Sequence, residues 1–373
     1  MRVAVDARTA YSPIRRGTGK NLIDLYRRIA WLYPDWEFLM FHRRGGGGDD
    51  PFAGEPNIVA RVIEIRGDRW NLWEQGRLPW AARQAGAAVL HAPANTAPGV
   101  PLVPLVVTIH DLIPLDRDSH QPATGRWAAN VGRAARVARR ILTPSQYTRG
   151  RLVERFGISA DKVVVNHWAP DGGCCAVTDH AALDAARERH GLRPGQPYLF
   201  GFGASDPRKN TRRIIEAWAG LPAAIRSNLS LLLVGLQEPA LSEARARAEA
   251  LAPDGGWSLR PFAREEDIAA LLSGATALCY PSLSEGFGLP VLDAFACGTP
   301  VITSNSTSLP EVAGDAALLV DPTDVPAIRQ AIEQVATSAA LRQELRQRGH
   351  ARLAAFSWDR CARTAAGVLT SAA

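Results

Sequence analysis

Cysteine is scarce in this 373-residue chain and follows no pattern. Cys174, Cys175, Cys279, Cys297 and Cys361 are odd in number and include no C-x-x-C pair. That argues against a disulfide framework and a thiolate metal site, and fits a reducing cytoplasm. Long apolar runs are missing as well. Pro, Gly or charge interrupts every candidate, including Val100 to Ile109, before the roughly 18 residues that a membrane span needs. The opening MRVAVDAR reaches Asp6 after a few apolar positions, too short for a signal-peptide core, and reads as a buried first strand of a chain that is not exported. An apolar fraction of 46% with 21% charge excludes a disordered or fibrous chain. The length exceeds the usual single domain, so two domains of ordinary size are expected.

Acidic residues are short in one half only. The net charge is +9 over residues 1–170 and −3 over 171–373, so the first half is expected to meet something anionic. Nucleic acid is a poor candidate: the chain has no zinc-finger spacing, no aromatic ribonucleoprotein motif and no Lys/Arg stripe with interleaved aromatics. Anionic lipid headgroups or a diphosphate substrate suit a diffuse basic domain better.

Short β-branched runs alternate with longer amphipathic stretches, twice over, which predicts parallel sheets covered by helices. In the first half, strands are expected at Arg2 to Asp6, Trp36 to Phe41, Val59 to Ile65, Ala88 to His91, Val103 to Ile109 and Val163 to Asn166. A helix is expected from Gly19 to Leu32 and a flexible loop at Gly45 to Gly48. Ala169 to His180, with Pro170, Gly172 and Gly173, breaks the rhythm and reads as a linker. Beyond it come strands at Tyr198 to Gly203, Leu229 to Val234 and Ala277 to Tyr280. Helices are expected from Thr211, at Glu238 to Leu251 and at Glu265 to Leu272.

The segment Pro281 to Leu319 follows a strand, turns through Gly286 and Gly288 and enters a helix near Leu289. Backbone N–H groups and a positive helix end therefore face the turn, a setting for anions and hydroxyls. Glu285 lies in the turn and Asp293 eight positions on, so both carboxylates could face one cleft and accept from sugar or ribose hydroxyls; an ordinary helix cap with two solvated acids has the same spacing. Arg208 and Lys209 follow a glycine-rich strand end and precede a helix, where two cations can neutralise a diphosphate. A solvated basic pair is the plainer reading, weakened because Lys20, Lys162 and Lys209 are the chain's only lysines. His110 and Asp111 close a strongly apolar strand, at the carboxyl edge where open parallel sheets place ligands. Gly17, Thr18 and Gly19 join the first strand to the first helix, as a phosphate loop or a bare connecting turn would.

Other signals carry less. Asp116-Arg117-Asp118 has a D-x-D form but reads as a solvated loop. GFGASD at Gly201 to Asp206 lacks the third small residue of a dinucleotide fingerprint. Trp70, Trp73 and Trp80 beside Glu74 and Gln75 fall at helical spacing, for core packing or an acceptor platform. The basic stretch Gly125 to Arg140, with Arg126, Arg133, Arg136, Arg139 and Arg140, reads as one helix with a solvated face.

These motifs together resemble family 4 glycosyltransferases, retaining enzymes with the two-domain GT-B fold. EGFGLPVLDA followed by CGTPVI and SLPEVAGDAALLVDP is similar to the donor-binding signature. YLFGFGASDPRKNTRRIIEAW resembles the opening of the C-terminal domain. TIHDLIPL, ILTPSQYTRGRLVERFGISADKVVV and DARTAYSPIRRGTGKNL resemble N-terminal motifs, so the likeness covers nearly the whole chain.

The resemblance implies an α/β architecture of two Rossmann-like domains with parallel sheets facing across a cleft. Residues 1–170 would form the acceptor domain, 171–355 the nucleotide-sugar domain, and 356–373 a closing helix that packs back on the first. It implies His110, Glu285 and Lys209 as catalytic residues, and Arg208, Lys209, Gly286, Phe287, Gly288, Leu289 and Asp293 as the donor site, with Asp293 on the ribose. Gly17, Thr18, Gly19 and Lys20 would lie against the diphosphate and acceptor, and Asp111 and Asn95 would meet the acceptor. The implied reaction moves a mannose- or glucose-type hexose, with retention and without a metal or other cofactor. The donor would be GDP-mannose or a UDP-hexose, and the acceptor a glycan or polyprenyl-diphosphate-linked saccharide, in bacterial surface polysaccharide synthesis. It also implies docking of the cytoplasmic enzyme on the anionic inner membrane face, with the basic stretch as the docking segment. The chain departs from the family pattern at Asp293, where Glu is usual, at Ala204 and Ser205, where relatives often carry Arg, at Lys20, also commonly Arg, and at NHWAPDGG, where an Asn-Gly turn is common. The changes at Asp293 and NHWAPDGG keep a catalytically silent sugar-nucleotide-binding protein in view, and a nucleotide-sugar 2-epimerase on the same fold is the other alternative.

Overall fold

A computed structural model describes residues 1–13, 15, 17–43, 50–65, 72–115 and 125–373. The Gly45 to Gly48 loop, Trp70 and the Asp116-Arg117-Asp118 triplet lie outside the described residues. The chain divides into two compact units, Met1–Trp168 with Phe356–Ala373, and Ala169–Ala355.

The first unit runs β1 (Arg2–Asp6), α1 (Gly17–Leu32), β2 (Glu37–His42), β3 (Ile58–Val62), a π-turn (Trp73–Arg77), α2 (Leu78–Gln84), β4 (Val89–Ala92), β5 (Leu105–Thr108), α3 (Gly125–Val137), β6 (Arg140–Thr143), α4 (Gln146–Phe156) and β7 (Val163–Val165). Its strands form one parallel sheet in the order β3-β2-β1-β4-β5-β6-β7. The side-chain period of two splits β1 between the two faces. Val3 and Val5 pack with Tyr26, Phe38 and Met40 on one side, while Ala4 packs with Leu39, Leu90 and Val107 on the other.

The second unit runs α5 (His180–Arg189), β8 (Tyr198–Phe202), α6 (Thr211–Ala219), α7 (Ala223–Arg226), β9 (Ser230–Val234), α8 (Ala240–Leu251), β10 (Trp257–Arg260), α9 (Glu265–Ser273), β11 (Ala277–Tyr280), α10 (Leu289–Ala296), β12 (Val301–Ser304), α11 (Leu309–Ala313), β13 (Leu318–Val320), α12 (Val325–Thr337) and α13 (Ala339–Leu353). Its parallel sheet has the order β10-β9-β8-β11-β12-β13. In each sheet the strand order reverses once, between β1 and β4 and between β8 and β11, and at such a point the loops leaving the carboxyl ends open a ligand crevice.

The last helix, α14 (Trp358–Ala372), belongs to the first unit. Ser357 caps it by accepting the Arg360 N–H at 3.2 Å. Cys361, Ala365, Ala366 and Leu369 bury against Tyr26, Ile29 and Val106, while Arg28 pairs with Asp359 and Arg139 donates to the Ala372 carbonyl at 2.7 Å.

Several sequence expectations change. Gly17, Thr18, Gly19 and Lys20 are the first turn of α1 rather than a connecting loop, and the glycines keep ordinary helical φ. Gly19 is required for another reason: a Cβ there would sit 2.4 Å from the Thr9 carbonyl oxygen. The basic stretch is not one helix, because α3 ends at Val137 and Arg140 opens β6, its guanidinium donating to the Asp161 carbonyl at 2.9 Å. Strands β6, β10, β12 and β13 were not anticipated; three or four residues long, they are too brief to show a period. Trp73 is fully buried with its indole N–H on the Ile63 carbonyl, whereas Trp80 is 46% exposed, so the two do not form one platform. Among the described residues no helix is long and apolar enough to cross a membrane.

Leu369 is fully buried in α14. Leu369→Ala should therefore lower the unfolding free energy of the first unit by about 2–5 kcal/mol, measured by urea titration; a loss below about 1 kcal/mol would show that α14 packs more loosely than described.

Candidate active site

In the second unit the loops after β8 and β11 meet at the switch point. Pro207–Lys209 forms a single 3₁₀ turn capped by Asp206, whose carboxylate accepts the Arg208 N–H at 3.1 Å. Asn210 closes it with a positive φ of 62°. Its side-chain amide donates to the carbonyls of Pro281, at 2.8 Å, and Pro322, at 2.6 Å, tying this loop to two others. The turn projects Arg208 and Lys209 onto Glu285. Lys209 Nζ lies 2.6 Å from Oε1, Arg208 Nη1 lies 2.8 Å from Oε2, and the Tyr280 hydroxyl donates to Oε1 at 2.6 Å. Lys209 Nζ also lies 2.5 Å from the Tyr280 oxygen, and Arg208 donates to Asp206 at 2.7 Å.

Glu285 is 8% exposed. Burial alone would raise its pKa, but Lys209 and Arg208 outweigh it and hold the carboxyl at about 2. The same pairing keeps both cations above their ordinary values against the cost of burial. Burial, then the Glu285 charge, push the Tyr280 phenol up to about 12. Glu285 is thus ionised at any working pH and does not serve as a general acid. Of a carboxylate's roughly four lone-pair positions, the described partners occupy three and leave one on Oε2.

The turn that carries Glu285 is fixed from behind. Ser308 Oγ is hydrogen-bonded to the carbonyls of Glu285, at 2.9 Å, and Phe287, at 2.6 Å. Gly288 has a φ of 132°, and a Cβ there would meet Leu309 at 2.8 Å. Gly286 and Phe287 complete the turn, and Leu289 starts α10. Asp293, on the second turn of α10, accepts the backbone N–H of Asp171 at 2.9 Å. It therefore anchors the segment after Ala169, a role the sequence reading did not foresee.

In the first unit the corresponding crevice lies beyond β1, β4 and β5. His110 stands two residues past β5. Its N–H donates to Asn95 Oδ1 at 2.7 Å, and Asn95 holds a positive φ of 65° there. Ring Nε2 lies 2.5 Å from the Pro93 carbonyl, which can only accept, so Nε2 carries the proton and Nδ1 carries the lone pair. Nδ1 is buried with no hydrogen-bond partner among the described residues. Burial, only partly offset by the Pro93 carbonyl, lowers the His110 pKa to about 4. The ring packs 5.0 Å from Trp168 and lines a cavity of about 440 Å³ with Thr9, Ser12, Thr18, Gly19 and Asn95. Asp111 does not enter that lining; its carboxylate accepts the Ile113 N–H at 3.1 Å. A smaller void of about 20 Å³, room for about one water, lies among Asn21, His91, His110 and Thr143. Asn21 Nδ2 and Thr143 Oγ1 are, like His110 Nδ1, buried and unpartnered among the described residues.

Sequence reasoning also missed a buried ion network under this crevice. Arg8 grips Asp6 at 2.8 and 2.5 Å and Glu74 at 2.9 Å, and Thr96 donates to Glu74 at 2.6 Å. This ties the loop after β1 to the loop after β4. A basic residue two positions after a strand-ending Asp was the available signal, but its second acid lies 66 residues away.

Two parallel-sheet units, each with a crevice where its strand order reverses, give the chain the two-domain GT-B architecture. Residues 184–352 match the family described as glycosyl transferases group 1, and residues 36–168 match glycosyltransferase family 4. O-antigen chain mannosyltransferase B of Escherichia coli is 30% identical over 92% of this chain and 93% of its own. Among solved structures, sucrose-phosphate synthase from Thermosynechococcus elongatus superposes with a TM-score of 0.78 at 22% identity, covering 100% of this chain and 98% of that one. Anabaena HepE in complex with UDP-glucose superposes with a TM-score of 0.73 at 17% identity, covering 100% of both. The chain belongs to the group 1, family 4 glycosyltransferases.

The His110 geometry predicts one neutral tautomer. Nitrogen NMR should show Nε2 protonated and Nδ1 bare from pH 5 to 8. Because the folded pKa of about 4 lies below the ordinary 6.5, this histidine contributes stability above pH 6.5 that is lost as pH falls towards 4. Titration of the His110 ring near pH 6.5 would contradict the assignment.

Proposed function

We propose that the protein transfers a hexosyl group, mannosyl foremost, from a nucleotide diphosphate sugar to a glycan or lipid-linked saccharide, with retention, in bacterial surface polysaccharide synthesis. The observation that carries this reading is the Arg208–Lys209–Glu285 cluster at the carboxyl edge of β8 and β11. The mannosyltransferase relative, which matches nearly end to end, supports the choice of sugar and pathway. In this proposal Lys209 and Arg208 hold the donor diphosphate and stabilise the charge that develops on it as the glycosidic bond breaks. Glu285 keeps both cations charged and in place, and offers its remaining Oε2 position to a sugar hydroxyl. The leaving diphosphate takes the acceptor proton on the same face of the sugar, so no protein group acts as base.

His110 is proposed to contact the donor sugar as a neutral group, its Nδ1 accepting from a hydroxyl. The first turn of α1, Gly17 to Lys20, is assigned to a phosphate through the positive end of the helix, and Asn95, beside His110 in the 440 Å³ cavity, would face the acceptor. Asp293 is assigned to the donor ribose. Docking of Arg126, Arg133 and Arg136 on an anionic inner membrane face belongs to the same proposal.

The test is product analysis with GDP-mannose and UDP-hexoses, with wild-type protein and His110→Ala. An α-linked product is expected from an α-linked donor. His110→Ala should cost about a hundredfold in turnover, the scale of one lost electrostatic contact, while nucleoside diphosphate affinity stays within about twofold, a difference of roughly 0.4 kcal/mol. An inverted product or near-wild-type turnover of the variant would overturn the reading.

A further inference from the structure

The second sheet has another edge, and it holds a cavity of its own. The void measures about 510 Å³, within the roughly 300–1,000 Å³ typical of small-molecule sites. Its floor is made by residues directly ahead of three neighbouring strands, Pro197 before β8, Leu229 before β9 and Thr276 before β11. All strands of this sheet run the same way, so the cavity lies at the amino edge, a strand length from Glu285, or roughly 15 Å at about 3.3 Å per residue.

Arg187, Arg342 and Arg346 line this void, with His180 at its wall. Helix-end carbonyls account for part of their donors. Arg187 donates to Asp184 at 2.7 Å and to the Gly274 carbonyl at 3.1 Å, yet its Nε is buried without a hydrogen-bond partner among the described residues. Arg342 spends one nitrogen on the carbonyls of Val335 and Ala336, at 2.6 and 3.1 Å. Arg346 spends one on the Gly298 carbonyl, at 3.0 Å.

What the carbonyls do not explain is the charge. Arg342 and Arg346 are four apart on α13, where like charges repel. Among the described ion pairs neither has a carboxylate, and the acid lying between them, Glu344, turns instead to Arg348 at 2.5 Å. Desolvation, then the charge of Arg342, push the Arg346 guanidinium below its ordinary value. Asp184, which does not line the void, accepts from Arg187 and from the Gly195 N–H at 2.8 Å through one oxygen.

We propose that this cavity is a second ligand site, one that binds a phosphomonoester of sugar-phosphate size, with Arg342 and Arg346 gripping the phosphate as paired guanidiniums. Arg187 faces the same group, and Thr276, with the acceptor oxygens of Thr337 and Asn228, whose donors are held by the Glu333 and Ala224 carbonyls, would meet the attached sugar. The site is separate from the donor crevice and rests on no part of the transfer reading.

The experiment is hydrogen–deuterium exchange on the full chain with hexose 6-phosphate, inorganic phosphate, the parent hexose, or phosphatidic acid vesicles. Hexose 6-phosphate and, more weakly, inorganic phosphate should protect peptides covering 273–276 and 336–346, whether or not they also protect the 206–210 turn. The parent hexose should protect neither region. By calorimetry Arg346→Ala should weaken hexose 6-phosphate binding at least tenfold, and Arg346→Lys, which keeps the charge and reports on folding, should retain part of it. No protection at 273–276 and 336–346, equal protection by the parent hexose, unchanged affinity of Arg346→Ala, or protection by vesicles alone would each overturn the proposal.

Discussion

Glu285 is ionised, almost wholly removed from water and bonded to Arg208 and Lys209. Ions buried in this way cost several kcal/mol each unless every charge has partners at good distance, so the backbone around them has little freedom. Asn210 takes a left-handed conformation and fastens the cation turn to Pro281 and Pro322. Gly288 is kept small by Leu309, and Ser308 fixes the turn that presents the carboxylate. Loops from β8, β11 and β12, far apart in sequence, are thereby set by one cluster of charge. An incoming diphosphate would meet cations already desolvated and aimed, which lowers the reorganisation its binding requires.

The first unit solves the same topological problem differently. Its switch point also carries a buried ion network, Asp6, Arg8 and Glu74, but that network sits beneath the crevice and braces two loops. The titratable group lining the described crevice is His110, kept neutral by burial and oriented by Pro93 and Asn95. One unit therefore presents fixed charge, and the other presents an uncharged acceptor whose tautomer is set by a backbone carbonyl. The pair His91 and Tyr26, bonded at 2.7 Å, with His91 in turn bonded to Thr108 at 2.7 Å, extends this neutral polar layer into the core.

The architecture could be read from the sequence wherever an element was long enough to show a period or a turn signal. The runs opening at Arg2, Tyr198 and Ala277 are such strands, and the β11-turn-α10 segment is legible because Gly286 and Gly288 interrupt it at the right place. The residues Arg208, Lys209, Glu285 and His110 could likewise be named from local spacing. Their mutual geometry could not, because it depends on pairings across 76 and 77 residues, Lys209 and Arg208 to Glu285, that no window contains. The same holds for Asp293, whose partner Asp171 lies 122 positions away, and for Glu74, which looked like part of an aromatic cluster until Arg8 reached it. The short strands β6, β12 and β13 were missed because a run of three or four residues carries too little alternation and no clear turn signal set them off as Gly286 and Gly288 set off Ala277–Tyr280.

That the Arg208–Lys209–Glu285 cluster is a diphosphate site is the claim on which the account stands. Calorimetric titration of wild type and Lys209→Ala with GDP and with UDP addresses it directly, because a nucleoside diphosphate needs neither sugar nor acceptor to engage these cations. Loss of one charge-assisted contact, about 1.5–3 kcal/mol, predicts at least a tenfold weaker Kd for whichever nucleotide the wild type binds. An unchanged Kd in a folded Lys209→Ala protein would contradict the account and place the diphosphate elsewhere.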